Sequence, residues 1–168
     1  TSGNFSFTQG SISNNTAKSS SNSFPNAAGG AVYINGGTFT ASETDLKIIS
    51  NNSSVAETTI AEDTAFGGAI YAGGGVLTLK SCTIEDNAVS SPDLKEGPAM
   101  YLLISATLNN TSITDLVYIK SPNFISLDTF EPPSLLTLHT DNYDAYKAAT
   151  LKQIITDLDP SFIGKLGV

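Results

Sequence analysis

Gly67-Gly68-Ala69-Ile70-Tyr71 is written again at Gly29-Gly30-Ala31-Val32-Tyr33 and more loosely at Gly97-Pro98-Ala99-Met100-Tyr101, with Leu116-Val117-Tyr118-Ile119 as a fourth, decayed copy. The intervals between the tyrosines change along the chain while the words persist. That is the mark of a repeat protein. A second word keeps step with the first: Ile12-Ser13-Asn14-Asn15, Ile49-Ser50-Asn51-Asn52 and Ile84-Glu85-Asp86-Asn87 all read Ile-x-x-Asn. Between them stands a glycine followed by alternating residues, at Gly3-Asn4-Phe5-Ser6-Phe7, Gly37-Thr38-Phe39-Thr40-Ala41 and Gly75-Val76-Leu77-Thr78-Leu79. One unit therefore reads strand, glycine turn, strand, short turn, Ile-x-x-Asn strand, loop.

Three words in one order, joined by connections too short for crossover helices, predict an all-β parallel β-helix of about four to five coils. The repeats occupy residues 1–120, and residues 121–168 form a C-terminal strand or strands and a helical cap. Asn35-Gly36 is a hairpin-type turn signal, which keeps an antiparallel sandwich open as the lesser option.

Period-two alternation assigns the faces. Val32, Ile70, Met100 and Val117, with Ile34, Ala72, Leu102 and Ile119 two residues on, are placed in the core. The opposite face then carries Ala31, Ala69 and Ala99 beside Tyr33, Tyr71, Tyr101 and Tyr118, an outer ladder spaced about 4.8 Å apart and a candidate contact surface. The reverse phase, with Ala and Tyr inward, stays open. Gly29, Gly30, Gly67 and Gly68 read as structural corners, and Asn15, Asn52 and Asn87 as a stack at another corner. Residues 17–28 read as a loop. The longer segments 53–66 and 88–96 fall at one place in the unit and read as loops along one edge, where recognition sits in such folds.

After Lys120 the grammar stops. Residues 124–127 and Leu135, Leu136 and Leu138 suggest further strands around the break at Pro132-Pro133. Tyr143, Tyr146, Thr150, Leu151, Ile154, Ile155 and Leu158 recur at helical spacing, with Asp141 as N-cap, Asp144 near the helix start and Asp159-Pro160 as the end.

The 168 residues could bury one sizeable core. Only 14% are charged, 16 acids oppose 8 bases for a net charge of −8, and every base is lysine. Nucleic-acid affinity is largely phosphate neutralisation, so DNA, RNA and anionic membranes are discounted as partners. No run approaches the roughly 20 apolar residues of a transmembrane helix. The sequence opens at Thr1 without a leader, as expected of a processed form or a piece of a longer chain. Cys82 is the single cysteine and reads as a small apolar side chain in a strand. Asn4, Asn14, Asn51, Asn52, Asn109 and Asn110 head Asn-x-Ser/Thr triplets and are candidate glycosylation sites in a secreted eukaryotic chain.

No catalytic, cofactor-binding or metal residue is assigned. Glu85 and Asp86 correspond to Ser50 and Asn51, and to Ser13 and Asn14, so adjacent coils do not stack carboxylates for acid/base work. Glu62, Asp63, Asp93 and Glu96 fall in loops. His139, the only histidine, lies in the cap segment without placed partners. A chain without arginine lacks a pectate-lyase-type base. Asp141, Asn142 and Asp144 lack the ligand spacing of an EF-hand, which leaves calcium on a loop as the alternative.

The Gly-Gly-Ala-Ile/Val-Tyr words, followed by Ile-x-x-Asn at Asn15, Asn52 and Asn87, resemble the Gly-Gly-Ala-Ile and Phe-x-x-Asn repeats of chlamydial polymorphic outer-membrane proteins and related surface β-helix proteins. Ile12, Ile49 and Ile84 stand where that family has Phe. The likeness covers roughly residues 1 to 120, and it implies an exported, adhesion-type protein on a right-handed β-helix. The expected function is thus a non-catalytic extracellular or cell-surface module that contacts proteins, glycans or copies of itself. A filament or coat subunit and a carbohydrate-active β-helix enzyme are the alternatives.

Overall fold

A computed structural model describes residues 3–20, 26–41, 45–57, 64–92, 94–104, 106–119, 125–127 and 135–139. They are all β, and every strand pairing among them is parallel. The first unit comprises β1 (Asn4–Ser6), β2 (Gly10–Ser13), β3 (Thr16–Ser19) and β4 (Asn26–Ala28). The second comprises β5 (Val32–Ala41), β6 (Lys47–Ser50), β7 (Ser53–Ala56) and β8 (Thr64–Phe66). The third comprises β9 (Ile70–Lys80), β10 (Cys82–Glu85), β11 (Ala88–Ser90) and β12 (Leu94–Glu96). Then come β13 (Met100–Leu102), β14 (Ala106–Asn109), β15 (Ser112–Ile119), β16 (Ile125–Leu127) and β17 (Leu135–His139).

Equivalent words lie one above another. Val32, Tyr33 and Ile34 pair with Ile70, Tyr71 and Ala72, which pair with Met100, Tyr101 and Leu102, which pair with Val117, Tyr118 and Ile119. Ile12, Ile49, Ile84 and Ile113 form a second such line. The sandwich alternative is therefore set aside in favour of a solenoid-like stack, and the hairpin-type signal at Asn35-Gly36 falls within β5 rather than between antiparallel strands.

Two lobes make up the cross-section. The main core joins Phe39, Ile49, Ile70, Leu77, Leu79, Ile84, Met100, Leu102, Leu108, Ile113, Val117 and Ile119. A smaller one holds Ala27, Ala56 and Ala65 with Val89 against them. This second lobe corrects the loop reading of residues 17–28, 53–66 and 88–96, which contain β3, β4, β7, β8, β11 and β12 in two three-stranded sheets. Ser- and Ala-rich strands of three or four residues carry too little apolar alternation to stand out from loops.

Among the described residues the lobe stops at the third unit, for a local reason. Asn14, Asn51 and Asp86 adopt left-handed φ of 59°, 55° and 56°, turning the chain out of the main stack. In the fourth unit no such turn intervenes, and β15 runs straight from the Ile113 position to the Tyr118 position. That shortcut accounts for the last, closest spacing of the tyrosine words. The helix expected over residues 141–159 lies outside the described residues.

Candidate functional site

The neck between the lobes is where the two repeated words meet. At the exit, Asn15 donates from backbone N and Nδ2 to Oδ1 of Asn52 at 3.1 and 3.0 Å, and Asn52 donates likewise to Oδ1 of Asn87 at 3.1 Å each. The Nδ2 groups of Asn52 and Asn87 also reach the carbonyls of Ile12 and Ile49, at 3.1 and 3.2 Å. The corner ladder expected at Asn15, Asn52 and Asn87 thus forms, with Asn52 and Asn87 buried. Sequence reasoning missed its last member. Asp115 Oδ2 accepts from N and Nδ2 of Asn87 at 2.8 and 3.2 Å, a charge-assisted end to a line of aligned donors. Asp115 sits two residues after Ile113 rather than three, so it escapes the Ile-x-x-Asn pattern.

At the entry, Gly29, Gly67 and Gly97 have φ of 66°, 60° and 61°, a conformation glycine adopts freely. Gly30 and Gly68 are required for space. A Cβ on Gly30 would stand 2.2 and 2.4 Å from the carbonyl oxygens of Gly68 and Ser53, and one on Gly68 would stand 2.3 and 2.4 Å from those of Ala88 and Pro98. Ser53 and Ala88 are the first residues of the small lobe. The third word reads Gly97-Pro98, and the unit after it, where β15 is continuous, adds no strand to the small lobe among the described residues.

The same bend overturns one face assignment. Ala69 and Ala99 are fully buried in the main core and Ala31 packs against it, instead of lying outside beside the tyrosines. Period-two alternation fails because these alanines precede the strand, within the glycine turn. The core positions Ile70, Met100 and Val117 are fully buried, while Val32 is only half-buried.

The tyrosines form a continuous stack. Successive ring centroids of Tyr33, Tyr71, Tyr101 and Tyr118 are 5.0, 5.7 and 4.4 Å apart with interplanar angles of 5°, 4° and 6°. Phe66 tilts against Tyr101 at 4.5 Å. Exposure falls along the row, from 57% at Tyr33 to 5% at Tyr118, so Tyr118 is buried and leaves the outer contact surface expected of all four. A Cβ on Gly73 would lie 2.7 Å from the Tyr71 ring, so glycine there makes room for the phenol. Burial, and secondarily the neighbouring Tyr33, raise the Tyr71 pKa above the ordinary phenol value.

Other singled-out residues stay apart. Glu85 pairs in register with Ser50, and Ser50 with Ser13, so the strand positions next to this carboxylate carry hydroxyls. Cys82 is buried, and desolvation pushes its thiol up to about 11, against the opposing influence of Lys47. Lys47, unremarked in the sequence, is its register partner; it is fully buried and donates to the Asp45 carbonyl at 2.6 Å. Among the triplet asparagines, Asn4, Asn14, Asn51 and Asn110 are exposed, but Asn52 is committed to the ladder and Asn109 is half-buried. Among the described residues no three His, Cys, Asp or Glu side chains gather as metal ligands. His139 lies in β17, paired in register with Tyr118. Asp141, Asn142 and Asp144 lie outside the described residues.

Comparison with family models, with curated proteins and with solved structures finds no match to this chain.

Proposed function

We propose that the chain is a right-handed parallel β-helix of about four to five coils with a C-terminal cap, serving as a non-catalytic structural or adhesive module at a cell surface or outside the cell. The observation that carries this reading is the row of parallel phenols at Tyr33, Tyr71 and Tyr101, held by a hydrogen-bonded strand ladder and partly open to solvent. Aromatic rings with polar tips on a rigid frame give contact area at little entropic cost. The resemblance to chlamydial-type surface repeats supports the same setting. Its partners are proteins or glycans met across this face and the edge of the small lobe.

The reading is tested by screening the purified chain against pectins, alginates, glycosaminoglycans and neutral polysaccharides, following both binding and product release. Binding weakened several-fold by Tyr71→Ser, without turnover, is expected. Turnover abolished by Glu85→Gln would establish a carbohydrate-active enzyme instead.

A further inference from the structure

Asn35-Gly36 lies within β5, where the register with β9 slips. Asn35 pairs with Gly74 and Thr38 with Val76, so Gly36 and Gly37 stand opposite Gly75 alone, a bulge of two residues against one. The slip is set on the inner side of β5, between neighbouring units. There the Asn35 side-chain oxygen and the Gly36 backbone nitrogen both face the bare Cα of Gly74, at 3.5 and 3.6 Å from where a Cβ would stand. Gly36 has no side chain to shield that nitrogen, and its φ of 141° is one that other residues rarely adopt.

Elsewhere the equivalent groups are kept apart. Asn35 is the only asparagine in the chain followed by glycine. Asn14, Asn51 and Asp86 are exposed at left-handed turns, but the nitrogen that follows each is engaged. The backbone N–H of Asn15 donates to Asn52, that of Asn52 to Asn87 and that of Asn87 to Asp115, at 3.1, 3.1 and 2.8 Å. The ladder that builds the neck thereby also withholds those nitrogens from attack on the side chain before them.

We propose that Asn35 is a site of spontaneous deamidation in the folded chain. The Gly36 nitrogen, losing its proton, attacks the Asn35 side-chain carbonyl carbon. A C–N bond forms there, the amide nitrogen leaves with that proton as ammonia, and a cyclic succinimide closes over Gly74. Water then adds to either ring carbonyl and breaks its bond to the Gly36 nitrogen, which regains a proton, giving aspartate or isoaspartate. Two groups already held side by side need no further reactant than water. The product adds one negative charge to the −8 of the sequence, two residues from Tyr33 on the same exposed face. The phenol row thus acquires a charged neighbour with age, whatever that row contacts.

The test incubates the full chain in mildly alkaline buffer, its folding followed by circular dichroism, beside a synthetic peptide of residues 31–40. Mass spectrometry of digests reads loss of the amide, and enzymatic methylation reads isoaspartate. Asn35 in the folded chain is expected to convert within about tenfold of the peptide rate, a barrier difference of at most about 1.4 kcal/mol. Heavy oxygen should enter from labelled water, and the rate should rise with pH because the attacking nitrogen must lose a proton. Asn14 and Asn51 should convert at least about tenfold more slowly than Asn35. Gly74→Ala, whose added methyl meets its neighbours only at 3.4 Å and beyond, should slow conversion several-fold and keep the thermal midpoint. Asn35→Gln should abolish it. A folded chain that keeps the Asn35 amide while the peptide loses it overturns the site, as does conversion confined to chain unfolded in urea. Equal rates at Asn14, Asn51 and Asn35 overturn it too, since the fold would then select nothing. So does an unchanged rate in folded Gly74→Ala, because the ring would not close over Gly74.

Discussion

Phe5 and Phe39 occupy the same place in successive units, pair in register and stack at 5.2 Å, yet one is mostly exposed and the other almost wholly buried. Val32 and Ile70 differ in the same direction, half-buried against fully buried. Alternation decides which face a side chain takes, but the neighbouring unit decides what that face is worth. A covered aliphatic or aromatic side chain contributes about 1.5–3 kcal/mol of transfer free energy. In the third unit that contribution is fully realised; in the first it is realised only in part.

The largest difference should come from a charge placed in each. Ile70→Asp removes a buried side chain and strands a carboxylate among Leu, Met and Ile, at a cost of several kcal/mol within a total stability of about 5–15 kcal/mol. Cooperative thermal unfolding should vanish from circular dichroism. Tyr71→Ser, one residue on, loses ring contacts worth about 0.5–1.5 kcal/mol each and should leave a clear transition. If the tyrosine variant proved the more damaging, the two faces of this strand would be exchanged in energetic importance.

The neck offers a milder contrast. Gly68→Ala must displace the Ala88 and Pro98 carbonyls, and forced overpacking costs about 1–3 kcal/mol. Pro98→Ala, at the equivalent place without a small lobe above it, should cost under about 1 kcal/mol by the same reasoning. Asn52→Leu leaves the backbone N–H of Asn15 and the carbonyl of Ile12 without this partner, a loss of about 1–3 kcal/mol. Asn15→Leu, at the exposed end of the ladder, should cost less because water can replace it. Urea midpoints of the four variants would decide, and equal costs at Asn52 and Asn15 would show that the ladder does not act as a buried network.

These contrasts also mark what the sequence could convey. The words containing Tyr33, Tyr71, Tyr101 and Tyr118 were legible because a parallel stack puts like residues in register, and the Ile-x-x-Asn words because a left-handed turn followed by a ladder amide recurs at the exits of the first three units. Ala69 and Ala99 were misplaced because a bend breaks the two-residue period just before the strand. The small lobe was illegible because alanine and serine mark a loop and a thin strand equally well. Asp115 was hidden by a shift of one position, itself the result of the turn that β15 omits. Burial at Phe5 and Tyr118 depends on units stacked above and below, which a single strand's pattern does not encode.

The smallest expected effect returns to the first unit. Phe39→Ala should cost about 3–5 kcal/mol, as expected for a buried aromatic, and that cost should not depend on protein concentration. Phe5→Ala in the isolated chain removes a ring already half in water and should cost under about 1 kcal/mol by its lost transfer energy. Urea midpoints of the two variants would check this, and equal losses at Phe5 and Phe39 would show that the neighbouring unit does not decide what a core-facing side chain is worth.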